Sequence, residues 1–466
     1  MKSKTKKWLA LTVLLLAHLL TIIDIFIVNI AIPSIQNGLK LTQSGVQQVV
    51  AIYMIGFASF LILGGKAGDH YGRRKVFISG LVFFMIFSAG CCFAISSEQL
   101  IASRFLQGVS AGFMSPQVLS YIQILFKDHK ERTHALGWYG IAIGIGTMLG
   151  QFSGGLLVEL KPIIVDQSWR YIFLINIPIC GITIILATIF LKDSSSTPNS
   201  VKIDFPSAFI LCIGLILLLF SVTTALEQSF TIFITLLISS ILLLIYFIMK
   251  QKRKGDQALL NLELFRYKNF SRALMAAGLF MFMLDAYFFI LAVFLQDALH
   301  LLPFQAGNFI VFQGLGFIFS SLFAPKLLIK LGSKVLISGV LLIIITLLIQ
   351  LMAFHYKNTE FPGYIIMIFH GAGVALVLPS FANIALRGIP EHLAGNASGV
   401  YSTLQQLSGA FGIACTGGFF YHYIHQNRDF SYFYEAFRYS TAIHILCLTG
   451  VLIILIHLSQ SVIKMK

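Results

Sequence analysis

The sequence predicts an all-α integral membrane protein, and three observations carry that prediction. Hydrophobic residues make up 57% of the 466 positions, charged residues make up 11%, and the mean hydropathy is +0.87. Soluble domains carry about 25% charged residues. Apolar runs of about 18 to 25 residues, long enough to cross a bilayer as helices, recur along the chain. This composition excludes a soluble globular protein, a disordered protein and a coiled coil.

The apolar runs predict fourteen membrane spans. The first run follows four lysines but is too long for a cleavable signal peptide, and no A-x-A cleavage site follows it. The predicted spans cover residues 9–32, 46–66, 76–96, 99–124, 135–158, 171–191, 205–225, 230–249, 272–296, 305–328, 334–354, 362–386, 393–420 and 441–462.

The distribution of lysine and arginine predicts the orientation. Segments on the side of the N-terminus hold 26 of the 33 basic residues and segments on the other side hold 6, with Arg104 inside a span. Cytoplasmic loops carry such an excess. We therefore expect a multi-pass protein of the cell membrane with both termini in the cytoplasm. The net charge of +15 follows from this bias and requires no nucleic acid as a partner.

An internal repeat divides the chain. A shift of 263 residues aligns Gly108 with Gly371, and a shift of 261 aligns Asp24 with Asp285. The expected units are an N-terminal six-helix bundle (residues 1–191), a linker with two inserted spans (192–270) and a C-terminal six-helix bundle (271–466). Two six-span halves in parallel repeat are typical of secondary transporters, whose substrate site lies between the halves.

Residues 65–75 read GKAGDHYGRRK, between the second and third spans. This pattern resembles the signature loop of the major facilitator superfamily. The resemblance implies that fold and an inner gate in which Asp69 faces a helix N-terminus of the other half. It also implies that Arg73 pairs with an acid at the end of the fourth span, where Asp128 stands. The residues of the predicted inner-gate loop are Gly65, Asp69, Gly72, Arg73, Arg74 and Asp128.

The fourth span contains RFLQG, which resembles a second motif of that superfamily. A charge such as Arg104 at the centre of a span costs roughly 2.5–3.5 kcal/mol on insertion scales. Either the side chain extends to the membrane surface, or it lies in a proton-coupling or substrate cavity and pairs with a buried acid. Gln107, one helical turn further on, is a candidate for the same cavity.

Only two acids fall within spans, Asp24 and Asp285. A desolvated carboxyl group holds a proton more readily than one in water, which suits proton coupling. The alternative is a hydrogen-bonded structural aspartate. The surrounding IDIFIVNIAIP, which includes Asn29, resembles the first-span motif of fourteen-span drug:proton antiporters. His370 takes the repeat position of Gln107 and is a further cavity candidate, although a helix-contact histidine is an open alternative.

The fifth span reads GIGIGTMLGQFSGG, and its small residues allow close helix packing. It resembles an antiporter motif, G-P-x-x-G-G. The motif positions are Gly146, Gly150, Gln151, Gly154 and Gly155, with Gln151 where proline is usual.

The resemblance implies a secondary transporter that exports drugs or small amphipathic molecules in exchange for protons, working as a monomer. We expect no enzyme activity, metal or other cofactor. No Walker motif for ATP is present, so we expect an ion gradient to supply the energy. The expected partners are a small-molecule substrate, protons and the lipid bilayer. The alternatives are a dedicated metabolite or siderophore exporter, a proton symporter, and a membrane sensor that has lost transport.

Overall fold

The structure, a computed structural model, describes residues 2–192, 204–225, 230–255, 258–332, 334–356, 361–386, 389–424 and 429–463. Within these ranges every regular element is helical, which confirms the predicted all-α class.

The first half contains seven helices, of which the sixth is a single turn. They are α1 (Lys2–Leu39), α2 (Gln43–Tyr71), α3 (Arg73–Cys92), α4 (Ser97–Leu125), α5 (His129–Glu159), α6 (Tyr171–Leu174) and α7 (Asn176–Phe190). Two helices follow, α8 (Phe205–Thr224) and α9 (Phe230–Lys254). The second half contains α10 (Lys268–Val293), α11 (Pro303–Leu331), α12 (Lys334–His355), α13 (Phe361–Leu386), α14 (Glu391–Gly412), α15 (Gly418–Ile424) and α16 (Phe430–Ile463).

Short polar residues begin several of these helices, as capping chemistry requires. The hydroxyl of Thr42 accepts a hydrogen bond from the backbone of α2, and Ser96 does the same for α4. Gly72 separates α2 from α3 with a φ of 94°, a conformation that side chains with a Cβ rarely adopt. The turn between the second and third predicted spans therefore depends on this glycine.

The number of membrane-spanning helices differs from the prediction. Among the described residues, twelve helices are long and apolar enough to cross a bilayer. α4 and α14 are long but fall outside this set, since both carry many polar side chains along their length. The predicted count of fourteen spans is therefore not confirmed.

The two halves repeat one packing plan. In the first half α2 packs on α4, α3 on α4 and on α7, and α1 on α5. The corresponding pairs in the second half are α11 with α13, α12 with α13 and α16, and α10 with α14. The halves meet along two seams, α5 against α11 and α2 against α14.

The bundle has two ends, defined by helix direction. The C-terminal part of α1 meets the π-helical turn Phe294–Ala298 that continues α10, where Gln296 donates a hydrogen bond to the carbonyl of Ile30 (3.0 Å). Phe294 packs against Phe430, where α16 begins. α1 therefore begins and α16 ends at the same face, which we call the terminal face, and the opposite end is the distal face.

The halves are in closest contact towards the distal face. The backbone N–H of Phe304 donates to Glu159 (2.7 Å), which joins α11 to the end of α5. Towards the terminal face, glycines of α5 and α14 lack such contacts. A Cβ placed at Gly137, Gly140 or Gly395 would meet no atom within 4 Å among the described residues beyond their own helices.

The two helices between the halves pack beside α2. Gln48 of α2 donates to the hydroxyl of Thr223 in α8 (3.0 Å), and Lys66 donates to the carbonyl of Ala258, beyond α9 (2.9 Å). Lys254 pairs with Asp204 (2.6 Å). Burial raises the pKa of the Asp204 carboxyl, but hydrogen bonds from Lys254 and Ser207 outweigh it and hold that pKa below its ordinary value. α9 packs on α8 and is otherwise largely exposed.

Candidate functional site

A buried ion pair lies inside the first half. Nη1 of Arg104 in α4 is 2.5 Å from Oδ2 of Asp24 in α1, and both side chains are 0% exposed. The other carboxylate oxygen, Oδ1, accepts hydrogen bonds from Gln107 (2.9 Å) and from Asn176 in α7 (2.8 Å). Hydrogen bonds therefore link four side chains from three helices, although Nη2 of Arg104 and Oδ1 of Asn176 have no partner among the described residues. The structure brings together Asp24, Arg104 and Gln107.

Arg104 has neutral neighbours in addition to the carboxylate. Its Nε donates to the backbone carbonyl of Val49 (3.3 Å), and Nη1 also donates to Gln107 (2.7 Å). The guanidinium carbon lies 4.3 Å from the ring centroid of Tyr53 and 5.7 Å from that of Phe173. The charge is thus enclosed by acceptors and aromatic faces, with the carboxylate as its ionic partner.

Close packing of α2 on α4 sets this geometry. A methyl group on Gly108 would overlap the carbonyl oxygen of Tyr53, and one on Gly56 would lie 2.5 Å from the carbonyl oxygen of Phe105. Glycine at both contacts lets the two backbones touch. The Tyr53 ring consequently reaches the guanidinium carried by the neighbouring helix.

Three contributors to the site were not among the sequence candidates: Ser88, Asn176 and Tyr53. Ser88 accepts hydrogen bonds from Gln107 (3.3 Å) and Asn176 (3.0 Å) and donates to the carbonyl of Phe173 (3.0 Å). Each is a single neutral residue in an apolar span, so no sequence signal distinguishes it from packing.

A second buried polar cluster occupies the second half, and it carries no ion pair. The hydroxyl of Tyr287 lies 3.1 Å from the side-chain oxygen of Gln350 and 3.6 Å from the sulfur of Met367. The Tyr287 ring stacks on His370 (4.6 Å between centroids) and meets His444 edge-on (6.2 Å). His370 also contacts the hydroxyl of Thr346 through Nδ1 (3.1 Å).

The two clusters are repeat counterparts. The shift of 263 that aligns the glycines also carries Asp24 to Tyr287, Arg104 to Met367 and Gln107 to His370. Each set converges in the structure as its counterpart does. This corrects the expected match of Asp24 with Asp285, because the contacts place Tyr287 in the position of Asp24.

Asp285 lies at the seam between the halves instead. A Cβ on Gly409 of α14 would overlap the carboxylate of Asp285 and would lie 2.5 Å from the methyl carbon of Met54 in α2. Asp285 therefore faces α14 and α2, outside the cluster around Asp24. Asn29 is buried in α1, and its Oδ1 has no hydrogen-bond partner among the described residues.

The loop motif between α2 and α3 forms a local ion pair. Arg73 donates to Asp69 through Nη2 (2.7 Å) and Nε (3.1 Å), and the Asp69 side chain is 51% exposed. Arg73 also donates to the carbonyl of Ser120 near the end of α4 (3.3 Å). Asp128 caps α5 by accepting from the backbone N–H groups of Lys130 and Glu131.

The remaining loop residues fix neighbouring helices. A Cβ placed at Gly65 would lie 3.8 Å from the side chain of Pro116 in α4. Arg74 donates to the carbonyl of Thr188 in α7 (2.5 Å). The motif thus connects α2, α3, α4 and α7 at the terminal face.

The glycines of α5 divide between two partners. Methyl groups on Gly146, Gly150 and Gly154 would crowd α1, whereas one on Gly155 would crowd Pro303 at the start of α11. Gln151 is fully buried and its backbone carbonyl contacts the position of Gly307 in α11. α5 is therefore packed between α1 of its own half and α11 of the other half.

Among the described residues, no group of three or more histidine, cysteine, aspartate or glutamate side chains is placed to hold a metal ion.

Known proteins are similar to this chain in sequence. The family model for the Major Facilitator Superfamily matches residues 14–413. The "Probable actinorhodin transporter" of Streptomyces coelicolor is 31% identical over 430 residues, covering 89% of this chain and 73% of that protein. "Puromycin resistance protein pur8" of Streptomyces alboniger is 30% identical, covering 88% and 81%. "Multidrug resistance protein Stp" of Mycobacterium tuberculosis is 26% identical, covering 85% and 72%.

Solved structures share the fold at low identity. A D-xylose-proton symporter has a TM-score of 0.65 at 16% identity, covering 95% of this chain and 97% of that one. A bacterial homolog of the human lysosomal transporter Spinster, in an inward-facing and unoccupied conformation, has a TM-score of 0.68 at 13% identity, with 98% of both chains covered.

Proposed function

Because the chain belongs to the major facilitator superfamily, whose members are transporters and not enzymes, we propose that it exports drugs or small amphipathic molecules in exchange for protons. The relatives named for antibiotic transport and resistance support export. The observation that carries proton coupling is the buried pair of Asp24 and Arg104.

The pair can exist in two protonation states. With Asp24 ionised, the two charges offset each other's burial. A proton on Asp24 removes the negative charge, weakens its bond to Arg104 and leaves one net positive charge inside the first half. The two states have different internal charge, so proton uptake and release can bias the arrangement of the halves. Gln107 and Asn176 hold the carboxylate in the same place in either state.

Sidedness follows from charge. We place the terminal face in the cytoplasm, because the basic residues concentrate on that side. The proposed fourteen crossings, with α4 and α14 included, then leave both termini inside the cell. In this orientation the contact between Glu159 and Phe304 lies towards the outside, and we propose that the halves separate towards the cytoplasm, where an exporter collects its substrate.

The substrate site is proposed at the seam between the halves. Asp285 provides a carboxylate there that can attract a cationic substrate, next to apolar side chains such as Met54. Asn29 and His370 are the remaining cavity candidates from the sequence, and both are buried in their own halves. The proposed units remain residues 1–191, 192–270 and 271–466, with the monomer as the working form.

Export of one dedicated compound is the second candidate function. Two relatives are each named for a single compound, actinorhodin and puromycin. A panel of unrelated antibiotics and dyes, tested on cells with and without the protein, separates broad export from dedicated export.

The test of proton coupling is substitution at Asp24. Asp24→Asn mimics the protonated state permanently, so we expect it to abolish substrate-dependent proton flux in proteoliposomes while the protein still accumulates in the membrane. Asp24→Glu keeps a titrating group and is the matched control, for which we expect partial activity. Normal proton-driven transport by Asp24→Asn would contradict the proposal, and the coupling acid would then be sought at Asp285.

A further inference from the structure

Proton uptake by Asp24 changes the surroundings of Arg104. When Asp24 takes up a proton, Arg104 keeps its charge and loses its ionic partner while it is fully buried. Breaking a buried pair from one side is strongly destabilising, because an uncompensated charge remains. Groups other than Asp24 must therefore hold the guanidinium in that state.

Arg104 has neutral neighbours whose charge does not change when Asp24 takes up a proton. The carbonyl of Val49 and the side-chain oxygen of Gln107 accept hydrogen bonds from it. The Tyr53 ring lies 4.3 Å from the guanidinium carbon, closer than the ring of Phe173 at 5.7 Å. An aromatic face at this distance attracts a cation, and the attraction grows when both groups are removed from water.

The contact uses the ring of Tyr53 and not its hydroxyl. The side chain is fully buried, and the hydroxyl has no hydrogen-bond partner among the described residues. The ring is held by the close approach of α2 and α4 at Gly108 and by edge-on contact with Phe57 (6.2 Å). The backbone therefore presents the aromatic face to Arg104 whatever the charge on Asp24.

We propose that Tyr53 is a positioning residue that holds Arg104 in place while Asp24 is protonated, and so sets the pH at which the transporter exchanges protons. This inference rests on the proposed function. An aromatic face that stabilises the unpaired guanidinium makes the protonated state of Asp24 easier to reach. Removing that face makes Arg104 depend more strongly on the carboxylate, which then stays ionised to lower pH.

Other titratable groups near Asp24 do not replace this role. Besides Arg104 on α4 and Tyr53 on α2, the titratable groups facing Asp24 in the described residues are Cys91 on α3 and Cys180 on α7. Both are thiols in a buried environment, and neither contributes an aromatic face or a second charge.

The test compares Tyr53→Leu with Tyr53→Phe in proteoliposomes, with transport measured across a range of pH at a fixed gradient. We expect Tyr53→Leu to need about tenfold more protons for half-maximal transport, a shift of roughly one pH unit. Tyr53→Phe retains the ring and should follow the wild-type profile. Tyr53→Met fills similar space without a ring and should shift the profile as Tyr53→Leu does, so that misfolding of one variant does not decide the result.

Two outcomes would overturn the inference. Equal shifts in Tyr53→Phe and Tyr53→Leu would assign the effect to the hydroxyl. A lower maximal rate with an unmoved pH profile in both ring-free variants would assign Tyr53 a structural role alone. Asp24→Asn in the same assay separates the two proposals: if it loses coupling while Tyr53→Leu does not shift, the role of Tyr53 fails and proton coupling stands.

Discussion

Gly108 and Gly371 occupy equivalent positions in the two halves and make equivalent contacts. A Cβ on Gly108 would overlap the carbonyl of Tyr53, and one on Gly371 would overlap the carbonyl of Gln313. Both obstacles are backbone atoms, which cannot rotate away as a side chain can. These residues therefore fix how closely α4 approaches α2 and how closely α13 approaches α11.

We predict that Gly108→Ala and Gly371→Ala each destabilise the protein by about 1–3 kcal/mol, the range for overpacking a close contact. Thermal unfolding of the purified protein in detergent measures this effect. Gly140→Ala is the control, because its Cβ would meet no described atom within 4 Å. Equal melting temperatures for all three variants would show that the backbones separate at little cost.

The pairing of Asp24 with Arg104 could be predicted at this scale, because a buried charge requires a partner and candidates were few. The hydrogen bonds from Asn176 and Ser88 could not, since a neutral polar side chain in a span has many possible partners. The repeat counterpart of Asp24 was misassigned because a two-residue difference in shift separates Asp285 from Tyr287. Contacts in the structure show which of the two residues is the counterpart, whereas a matching residue type at one aligned position does not.

At the scale of helices, α5 and α11 form the longest continuous contact between the halves. Glu159 ends α5, and its carboxylate accepts from the backbone of Phe304 at the start of α11. A carboxylate at a helix N-terminus interacts favourably with the free N–H groups and the helix dipole. We therefore expect this bond to favour the closed distal face.

We predict that Glu159→Gln opens the distal face more often, because the amide can accept the hydrogen bond but lacks the charge. The charge contributes about 0.3–1 kcal/mol, so labelling of Gln47→Cys by a water-soluble thiol reagent should rise about two- to fivefold. Gln47 is buried beside Gly417 and Gly418 at this face, and the native cysteines would be replaced first. Labelling should be greater in Glu159→Ala than in Glu159→Gln.

Glu98→Gln is the control, since Glu98 is an exposed acid at the start of α4 that bonds to the neighbouring Ser97. Labelling that does not change in either Glu159 variant would show that the small-residue contacts alone close the seam.

The positions of the helices followed from hydropathy, but the count of spans did not. α4 and α14 are packed in the bundle although their polar residues lower their hydropathy. Most α4 residues are buried or partly buried against other helices, although Leu106 and Ile124 remain exposed, and a hydropathy window does not register such contacts. The contacts of a helix in the folded protein therefore carry information about its surroundings that its composition does not.

At the scale of the whole molecule, the inserted pair α8 and α9 packs mainly on the first half, although α8 also contacts residues Ile413–Gly417 of the second half. Gln48 bonds to Thr223 near the distal face, and Lys66 bonds to Ala258 near the terminal face. Because α2 contacts the pair near both of its ends, we expect the pair to move with the first half.

We predict that a cross-link between Gln48→Cys and Thr223→Cys leaves transport close to that of the uncross-linked protein, because it joins parts of one body. A cross-link between Gln47→Cys and Gly418→Cys joins the two halves and should slow transport by about tenfold or more, since the halves must separate during the cycle. Transport before oxidation, after oxidation and after reduction measures both effects. Inhibition by the first cross-link would show that α8 moves against α2.

The bond between Asp24 and Arg104 also has a consequence for biosynthesis. The two residues are 80 positions apart, so at about 5–20 residues per second α1 leaves the ribosome roughly 4–16 s before the arginine does. Arg104 in α4 carries a charge that is costly to place in lipid, and its partner Asp24 has been synthesised earlier, in α1. Among the described residues, the hydrogen-bond partners of both side chains lie in the first half. The first half can therefore complete its most costly burial while the rest of the chain is still being made.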